Sequence, residues 1–492
     1  MNIYSIVITV LFCIPVLAKQ QHAFLAGSWY PKNKNILQQA LQQADTVAQS
    51  SYAASVKSQT IRALIAPHAG IRYSGSVTAG TYRLIDPTIQ RVIILAPDHS
   101  GKTRGVALPT FNQYILPNGS LTVDTQLIQK LSQHELFNFD ETVFSKEHSL
   151  EMQLPFIIKY CNTAQIIPLI IGTIDCKNAQ HIAQQLKTII NKNTIVVISS
   201  DFVHYGKRFN FMPFTDHQQL RIRHLNSQAI QLIEKADCTA FESFIRKTGA
   251  TICGSCPIKI LLHLIHSGTF GTVEPQLIGY DTSSKSDTED SVSYIGMIFT
   301  TEKLSEKPIE HQLTQQEQTH LLQQARDILK YMFDTKYDES LYFPLLSFGV
   351  TQPLGAFTTL KKKNGNLRGC IGRIVTTQPL YKTIATVMQD TALRDSRFQP
   401  VTKQEASTLN LKLSILSQPK KVDDYKNIVI GKHGIILKQG MHSAVFLPEV
   451  ATEFGWNLEQ TLNHLSQKAG LEKNGWKIKE TSFSVFSTLD IE

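Results

Sequence analysis

Short, almost unbroken apolar runs recur along the first part of the chain, each ending abruptly in a turn or an ionisable group. Arg62–Ala66 leads into Pro67-His68, and Arg91–Ala96 into Pro97-Asp98-His99. Ala164–Ile171 is another such run, and Thr194–Ser200 leads into Asp201. Runs this short and this continuous fit parallel strands covered on both faces, with helices in the stretches between them. The expectation is an α/β fold over residues 22–300. Within it, Ser149–Ile158 reads as one helix.

The pattern then changes. Thr301–Gln316 is polar, carries Pro308, and reads as a linker. Glu317–Met332 has helical spacing, with Leu321, Ala325, Ile328 and Leu329 on one face. Gly355–Lys361 and Leu367–Ile374 flank an Asn-Gly pair, the signature of a β-hairpin. Leu380–Leu393 reads as a helix. Leu411, Leu413 and Ile415 alternate as in a strand. Ile435–Leu437 and Ala444–Leu447 flank Gln439-Gly440 as a second hairpin, and Asn457–Ala469 closes as a helix. Residues 317–492 are therefore expected to form an α+β domain.

With 492 residues, the chain has room for two or three domains. Its 42% hydrophobic and 18% charged residues exclude a disordered chain. The net charge of +9 is scattered, and its densest run, Lys361-Lys362-Lys363, precedes the Asn-Gly turn as a solvated hairpin tip. No nucleic-acid partner is expected. The apolar run Ile3–Leu17, followed by Ala18 and Lys19, resembles a secretory signal over residues 1–18, so the chain is expected to be exported, to a periplasm or the extracellular space. Six cysteines would then remain. Their wide spacing excludes a dense disulfide scaffold and leaves room for one or two bridges.

Three apolar runs end in groups able to bind metals or move protons: His68, Asp98-His99, and Asp201 with His204. In open α/β sheets, ligands bind beyond the carboxyl ends of strands, where separated residues converge. A single such histidine is more often a capping or structural residue, but three at equivalent strand ends favour a site. Glu147 and His148 precede the expected helix. Glu147 could fix a histidine tautomer behind a metal or simply favour the helix N-terminus. Cys253 and Cys256 are spaced as a redox pair or half a zinc site, and no second pair matches them. Two imidazoles and one thiolate would suit copper, iron or zinc, whereas a Cys253–Cys256 disulfide would remove the thiolate.

The segments Ala26-Gly27-Ser28-Trp29-Tyr30, Ala66-Pro67-His68-Ala69-Gly70, Glu147-His148-Ser149, Ser199-Ser200-Asp201-Phe202, His204 and Thr251-Ile252-Cys253-Gly254 resemble the Memo family, in order, over the first domain. The resemblance implies a fold like that of class III extradiol dioxygenases. It also implies a copper or iron ion held by His68, His99 and Cys253, with Asp201 and His204 as further pocket residues. Cys256 lies outside the pattern. In the second domain Leu367-Arg368-Gly369-Cys370-Ile371-Gly372, with Arg394-Asp395-Ser396-Arg397-Phe398, resembles the AMMECR family. By itself, Arg368 is suited to clamp an anion. Cys370 is most simply a small buried thiol, with His433 and His442 as partners if it reacts. Gly369 and Gly372 permit a bulge or a close backbone approach. Memo and AMMECR proteins resemble two parts of a prokaryotic three-component system, which implies a radical S-adenosylmethionine protein as partner.

These readings converge on a metal-dependent redox protein with an unidentified substrate, dioxygenase-like in its chemistry, in which His204 shuttles a proton and is oriented by Asp201. The alternative is a non-catalytic scaffold that binds metal or phosphopeptide. A weaker third reading is a metal hydrolase with Asp201 or Glu147 as general base.

Overall fold

The computed structural model describes residues 19–51, 60–284, 290–301, 313, 315–334, 350 and 352–492. The expected leader at 1–18 and most of the expected linker at 301–316 lie outside the described residues.

The first part of the chain builds one large mixed sheet. From one edge its strands run His204–Tyr205, Ser291–Thr300, Ile61–Ala66, Thr194–Ser199, Arg91–Pro97, Gln165–Ile171, Val106–Leu108 and Phe137–Phe139. Glu274–Thr282 pairs with Ser291–Thr300 off this path. The four long apolar runs read from the sequence are its parallel heart, and nearly every residue in them is buried. The expectation of parallel strands needs correcting at the flanks. Ser291–Thr300 runs antiparallel to Ile61–Ala66, and Val106–Leu108 antiparallel to Gln165–Ile171. Flanking antiparallel strands can be joined by short turns and need no crossover helix, so they leave no alternating helix signal in the sequence.

Register decides where the chemistry sits. Ala66 lies opposite Ser199, Leu95 opposite Ile198, and Pro97 opposite Ile171. The residues that follow these strands, His68, His99 and Asp201, therefore leave the same edge of the sheet. Helix Ile71–Tyr82 packs on Glu274–Thr282 and Ser291–Thr300. Helix Ser255–His266 packs on Arg91–Pro97, on Thr194–Ser199 and on helix Cys176–Lys187. The expected helix Ser149–Ile158 is two helices, His148–Glu151 and Leu154–Tyr160. Pro155 sits in the first turn of the second, where its missing N–H costs nothing, and its ring would clash within a continuous helix.

The second part holds two four-stranded antiparallel sheets. One is ordered Leu367–Arg373, Ala356–Lys361, Asn410–Leu416, Thr488–Ile491, and helix Leu380–Leu393 packs on its hairpin. The other is ordered Lys420–Val422, Ser482–Phe486, Gly434–Gln439, His442–Phe446. The Asn364-Gly365 turn forms as read, with Gly365 at φ 85°. Helix Gln315–Tyr331 buries Leu321, Ala325, Ile328 and Leu329. The closing helix Leu458–Lys468 is fixed by a capping box between Asn457 and Gln460. Among the described residues, no helix is long and apolar enough to cross a membrane.

Candidate metal centre

His68 emerges from its strand fully buried, with its ring between two polar groups. Nδ1 lies 2.8 Å from Ser199 Oγ, and Nε2 lies 3.2 Å from Cys253 Sγ. The tautomer follows from counting protons. Ser199 Oγ donates its only proton to the Ser149 carbonyl at 2.7 Å and accepts from Gln153 Nε2 at 2.9 Å. Toward His68 it can only accept, so His68 Nδ1 carries the proton and Nε2 keeps a lone pair. Gln153 is itself held by the Tyr82 hydroxyl, which donates to Oε1 at 2.9 Å, and its amide also donates to the Pro67 carbonyl at 3.0 Å.

His99 is oriented in the same sense by Glu147. Its backbone N–H donates to one carboxylate oxygen at 2.7 Å, and its Nδ1 to the other at 2.8 Å. An ionised carboxylate only accepts, so His99 Nδ1 carries a proton, which directs Nε2 to be the ligating nitrogen. His148 Nδ1 lies 3.3 Å from the same Glu147 oxygen. Burial alone would raise the Glu147 carboxyl, but the contacts from His99 outweigh it and hold the group below its usual value. Glu147 also caps the short helix, accepting from Ser149 N at 2.9 Å, so both roles weighed for it from the sequence are present.

The ligand nitrogens of His68, His99 and His148 all lie within 4.8 Å of one another. The His68 and His99 rings meet edge-on at 5.3 Å, and the His99 and His148 rings lie 4.3 Å apart. Trp29 covers His148, with ring centroids 4.7 Å apart. Burial, with the neighbouring histidines adding to it, holds His68 well below the ordinary imidazole value and brings His148 to about 4. Both rings are therefore neutral at physiological pH, the form that binds metals. From the sequence His148 read as an outer group; in the structure its ring joins the cluster directly.

Cys253 enters on the His68 side. Its sulfur accepts from the Asp201 backbone N–H at 3.1 Å, and burial pushes its thiol well above the usual value. Gly254 makes this approach possible, because a Cβ there would lie 2.3 Å from Ser200 Cβ. Cys256 turns away, with its sulfur 3.5 Å from the Ile174 backbone nitrogen, and both thiols are free. The bridge that does form joins Cys176 and Cys238, 62 residues apart.

Asp201 is buried, accepts from the His68 backbone N–H at 2.8 Å, and has its carboxyl raised by burial to about 7. It does not orient His204 through a hydrogen bond. That task falls to Thr251, whose carbonyl accepts from His204 Nδ1 at 3.0 Å and whose hydroxyl accepts from His204 N at 2.9 Å. Burial lowers His204, against raising hydrogen bonds to the Thr251 and Phe202 backbone. The sequence reading also missed Glu151. This fully buried carboxylate accepts from Phe24 N, Leu25 N, Tyr30 Oη and Tyr114 Oη at 2.6–3.0 Å, tying the segment that carries Trp29 to the centre.

The three imidazoles, with Nδ1 of His68 and His99 held by protein acceptors, suit a borderline metal, and the Cys253 sulfur lies beside His68.

In the second domain Arg368 is already occupied. It pairs with both oxygens of Glu405, at 2.6 and 3.0 Å, and donates to the Gln399 carbonyl, so Nε and one terminal nitrogen of its guanidinium are committed within the domain. Gly369 answers a close approach, since a Cβ there would lie 2.7 Å from the Thr391 carbonyl oxygen, and at Gly372 a Cβ would run into the Phe357 ring. Cys370 is half-buried, with Sγ 3.3 Å from Thr359 Oγ1. His433 and His442 are engaged elsewhere, with the Val429 N–H and the Ala469 carbonyl.

Asp395 ties the motif together by accepting from Cys370 N at 2.9 Å and from Arg397. Hydrogen bonds from Arg397, opposed by burial and helped by the Cys370 N–H, hold its carboxyl well below the usual range. A carboxyl depressed on folding stabilises the native state above its unfolded value, near 3.8, and loses that contribution as pH falls further. Asp395→Asn should therefore lower the melting temperature by its full amount at neutral pH and by a modestly smaller amount at about pH 3, where the loss has only begun. Equal shifts at the two pH values in thermal denaturation would contradict this.

Residues 21–298 match the family described as Memo-like protein, and residues 303–491 match the AMMECR1 family. The chain is similar to the Protein memo-1 homolog of Caenorhabditis elegans, at 33% identity over 290 residues, covering 56% of this chain and 81% of that protein. It is similar to human Protein MEMO1 at 32% identity over 250 residues, covering 49% of this chain and 82% of that protein. Among solved structures it matches the uncharacterized protein PH0010 from Pyrococcus horikoshii at 29% identity and a TM-score of 0.32, covering 35% of this chain and 88% of that one.

Proposed function

The chain belongs to the Memo-like family and carries an AMMECR1 domain behind that unit, and from that premise we propose that it is a metal-dependent redox protein, dioxygenase-like in its chemistry. The carrying observation is the convergence of three imidazoles within 4.8 Å, with hydrogen-bond partners that hold Nδ1 of both His68 and His99. His68, His99 and His148 would hold the ion, with Cys253 as a soft ligand beside His68. A bound copper or iron would supply one-electron redox chemistry at this position.

The chain's own residues do the rest. Glu147 orients two imidazoles and compensates cationic charge. Trp29 shields the His148 side from water. His204, held by Thr251, offers Nε2 to accept a proton from a bound substrate and return it. Asp201, raised to about 7, sits beside the thiol as a reserve of negative charge. The likeness to class III extradiol dioxygenases belongs to the same proposal, supported by strand-end histidines gathered at one edge of a mixed sheet. So do an exported location and a radical S-adenosylmethionine partner. For export, the Cys176–Cys238 bridge is the supporting feature, since such bonds persist in oxidising compartments.

The test is ascorbate-driven oxygen uptake by protein reconstituted with copper or iron. His204→Ala should keep its metal and lose roughly a hundredfold in rate, the usual scale of a positioned proton donor or acceptor. Metal held by the wild type without any uptake would overturn the redox reading in favour of a binding scaffold.

A further inference from the structure

A second cluster of metal-ligating groups lies away from the strand-end site and shares no residue with it. Ligand atoms of Cys176, Cys238 and His263 all lie within 4.8 Å of one another. They come from three helices, Cys176–Lys187, Cys238–Thr248 and Ser255–His266. Each cysteine occupies the first position of its helix, directly after an aspartate N-cap, Asp175 or Asp237. Helix N-termini favour the thiolate over the thiol.

We propose that Cys176, Cys238 and His263 form a redox-gated metal site: a closed disulfide when the chain is oxidised, and a two-cysteine, one-histidine site for zinc or a similar cation when it is reduced.

The disulfide alone does not account for His263. Its Nε2 is sealed from solvent and has no hydrogen-bond partner, a polar atom left in need of one. Burial lowers the ring below its ordinary value, against a raising hydrogen bond to the Cys176 backbone, so the imidazole is neutral and able to ligate. Charge balance also fits. Lys259 is buried and paired with Glu242 at 2.9 Å, and the same Glu242 oxygen accepts from Cys176 N at 3.2 Å. That pair is neutral, so two thiolates would match one divalent cation. The Glu242 carboxylate stands at the Cys176 end of the cluster, where it or a water would complete tetrahedral coordination.

The chemistry balances with a dithiol as reductant. The S–S bond opens to two thiols, and the reductant is oxidised to its own disulfide. Binding of a divalent cation then forms two S–metal bonds and one N–metal bond and releases the two thiol protons to solvent. Exchange with a small-molecule disulfide reverses this: the protein S–S bond re-forms, the added disulfide takes up two protons and is reduced to its thiols, and the metal is expelled because a disulfide sulfur is not a thiolate ligand.

The experiment compares zinc bound by the full chain in its oxidised and phosphine-reduced states, with free thiols titrated on the same samples. Reduced wild type should gain two thiols and one equivalent of zinc over oxidised wild type. Cys238→Ser should hold the same zinc in both states. His263→Gln should still gain two thiols, which reports an intact pair, and bind the additional zinc at least about tenfold more weakly. Equal zinc in the two wild-type states, or undiminished additional zinc in His263→Gln, would overturn the proposal. Because the comparison is between two states of one protein, metal at the strand-end centre cancels.

Discussion

In the His68→Ala, His99→Ala double variant, copper or iron affinity is expected to fall by more than about a hundredfold. The size of the effect follows from where the two rings sit. Both leave the same edge of the sheet, both have Nδ1 occupied by a protein acceptor, and both place a ring nitrogen within 4.8 Å of the other and of His148. Even partners behind a ligand are commonly worth 10–100-fold in affinity, so loss of two ligands exceeds that range. Glu147→Gln gives the internal comparison. It keeps shape but puts an amide where His99 Nδ1–H and two backbone N–H groups now donate, and it should cost roughly tenfold or more. Metal analysis after reconstitution and dialysis reads both, and undiminished metal in the double variant would remove the site.

The largest stability effect is expected at Glu151. Each of its oxygens accepts from one backbone N–H and one tyrosine hydroxyl, in a place sealed from water. In Glu151→Gln one oxygen becomes an NH₂ that faces a backbone N–H, an obligate donor, so one buried hydrogen bond becomes a repulsive contact, while the tyrosine hydroxyl on the same side must turn to accept. The cost should be roughly 1–3 kcal/mol, the usual cost of one buried group left unsatisfied. The residues set free are Phe24, Leu25 and Tyr30, which bracket Trp29. The variant should therefore show a blue-to-red shift in tryptophan emission and earlier proteolysis near the N-terminal segment, together with the lower unfolding midpoint. Wild-type stability in urea would show that the four donors find other acceptors.

Much of the strand-end chemistry was legible because continuous apolar runs mark parallel strands, and residues after parallel strands share an edge. That logic reached His68, His99, Asp201 and His204. It did not reach the place of His148 in the cluster, which is set at the start of a four-residue helix beside its capping residue Glu147 rather than by any periodicity. Glu151 and Gln153 look, in sequence, like ordinary polar positions of one amphipathic helix; only the break in that helix turns both inward. The orienting role given to Asp201 went instead to Thr251, because the loop 250–254 crosses the strand end and brings a carbonyl to His204, a contact between residues 47 apart. The Cys176–Cys238 bridge depends on two helix starts meeting in space, and spacing along the chain carries no sign of it. In the second domain the Asn-Gly hairpin and the glycines of the motif were readable from local chemistry, whereas the pairing of Arg368 with Glu405 needed the fold.

The most direct measurement of the central claim is an anomalous-scattering map from crystals of the copper- or iron-reconstituted protein. The account predicts one peak bounded by Nε2 of His68 and His99 and the ring of His148, with Cys253 Sγ on its His68 side. A map with no peak there, or with the metal held only by groups elsewhere on the chain, would contradict it.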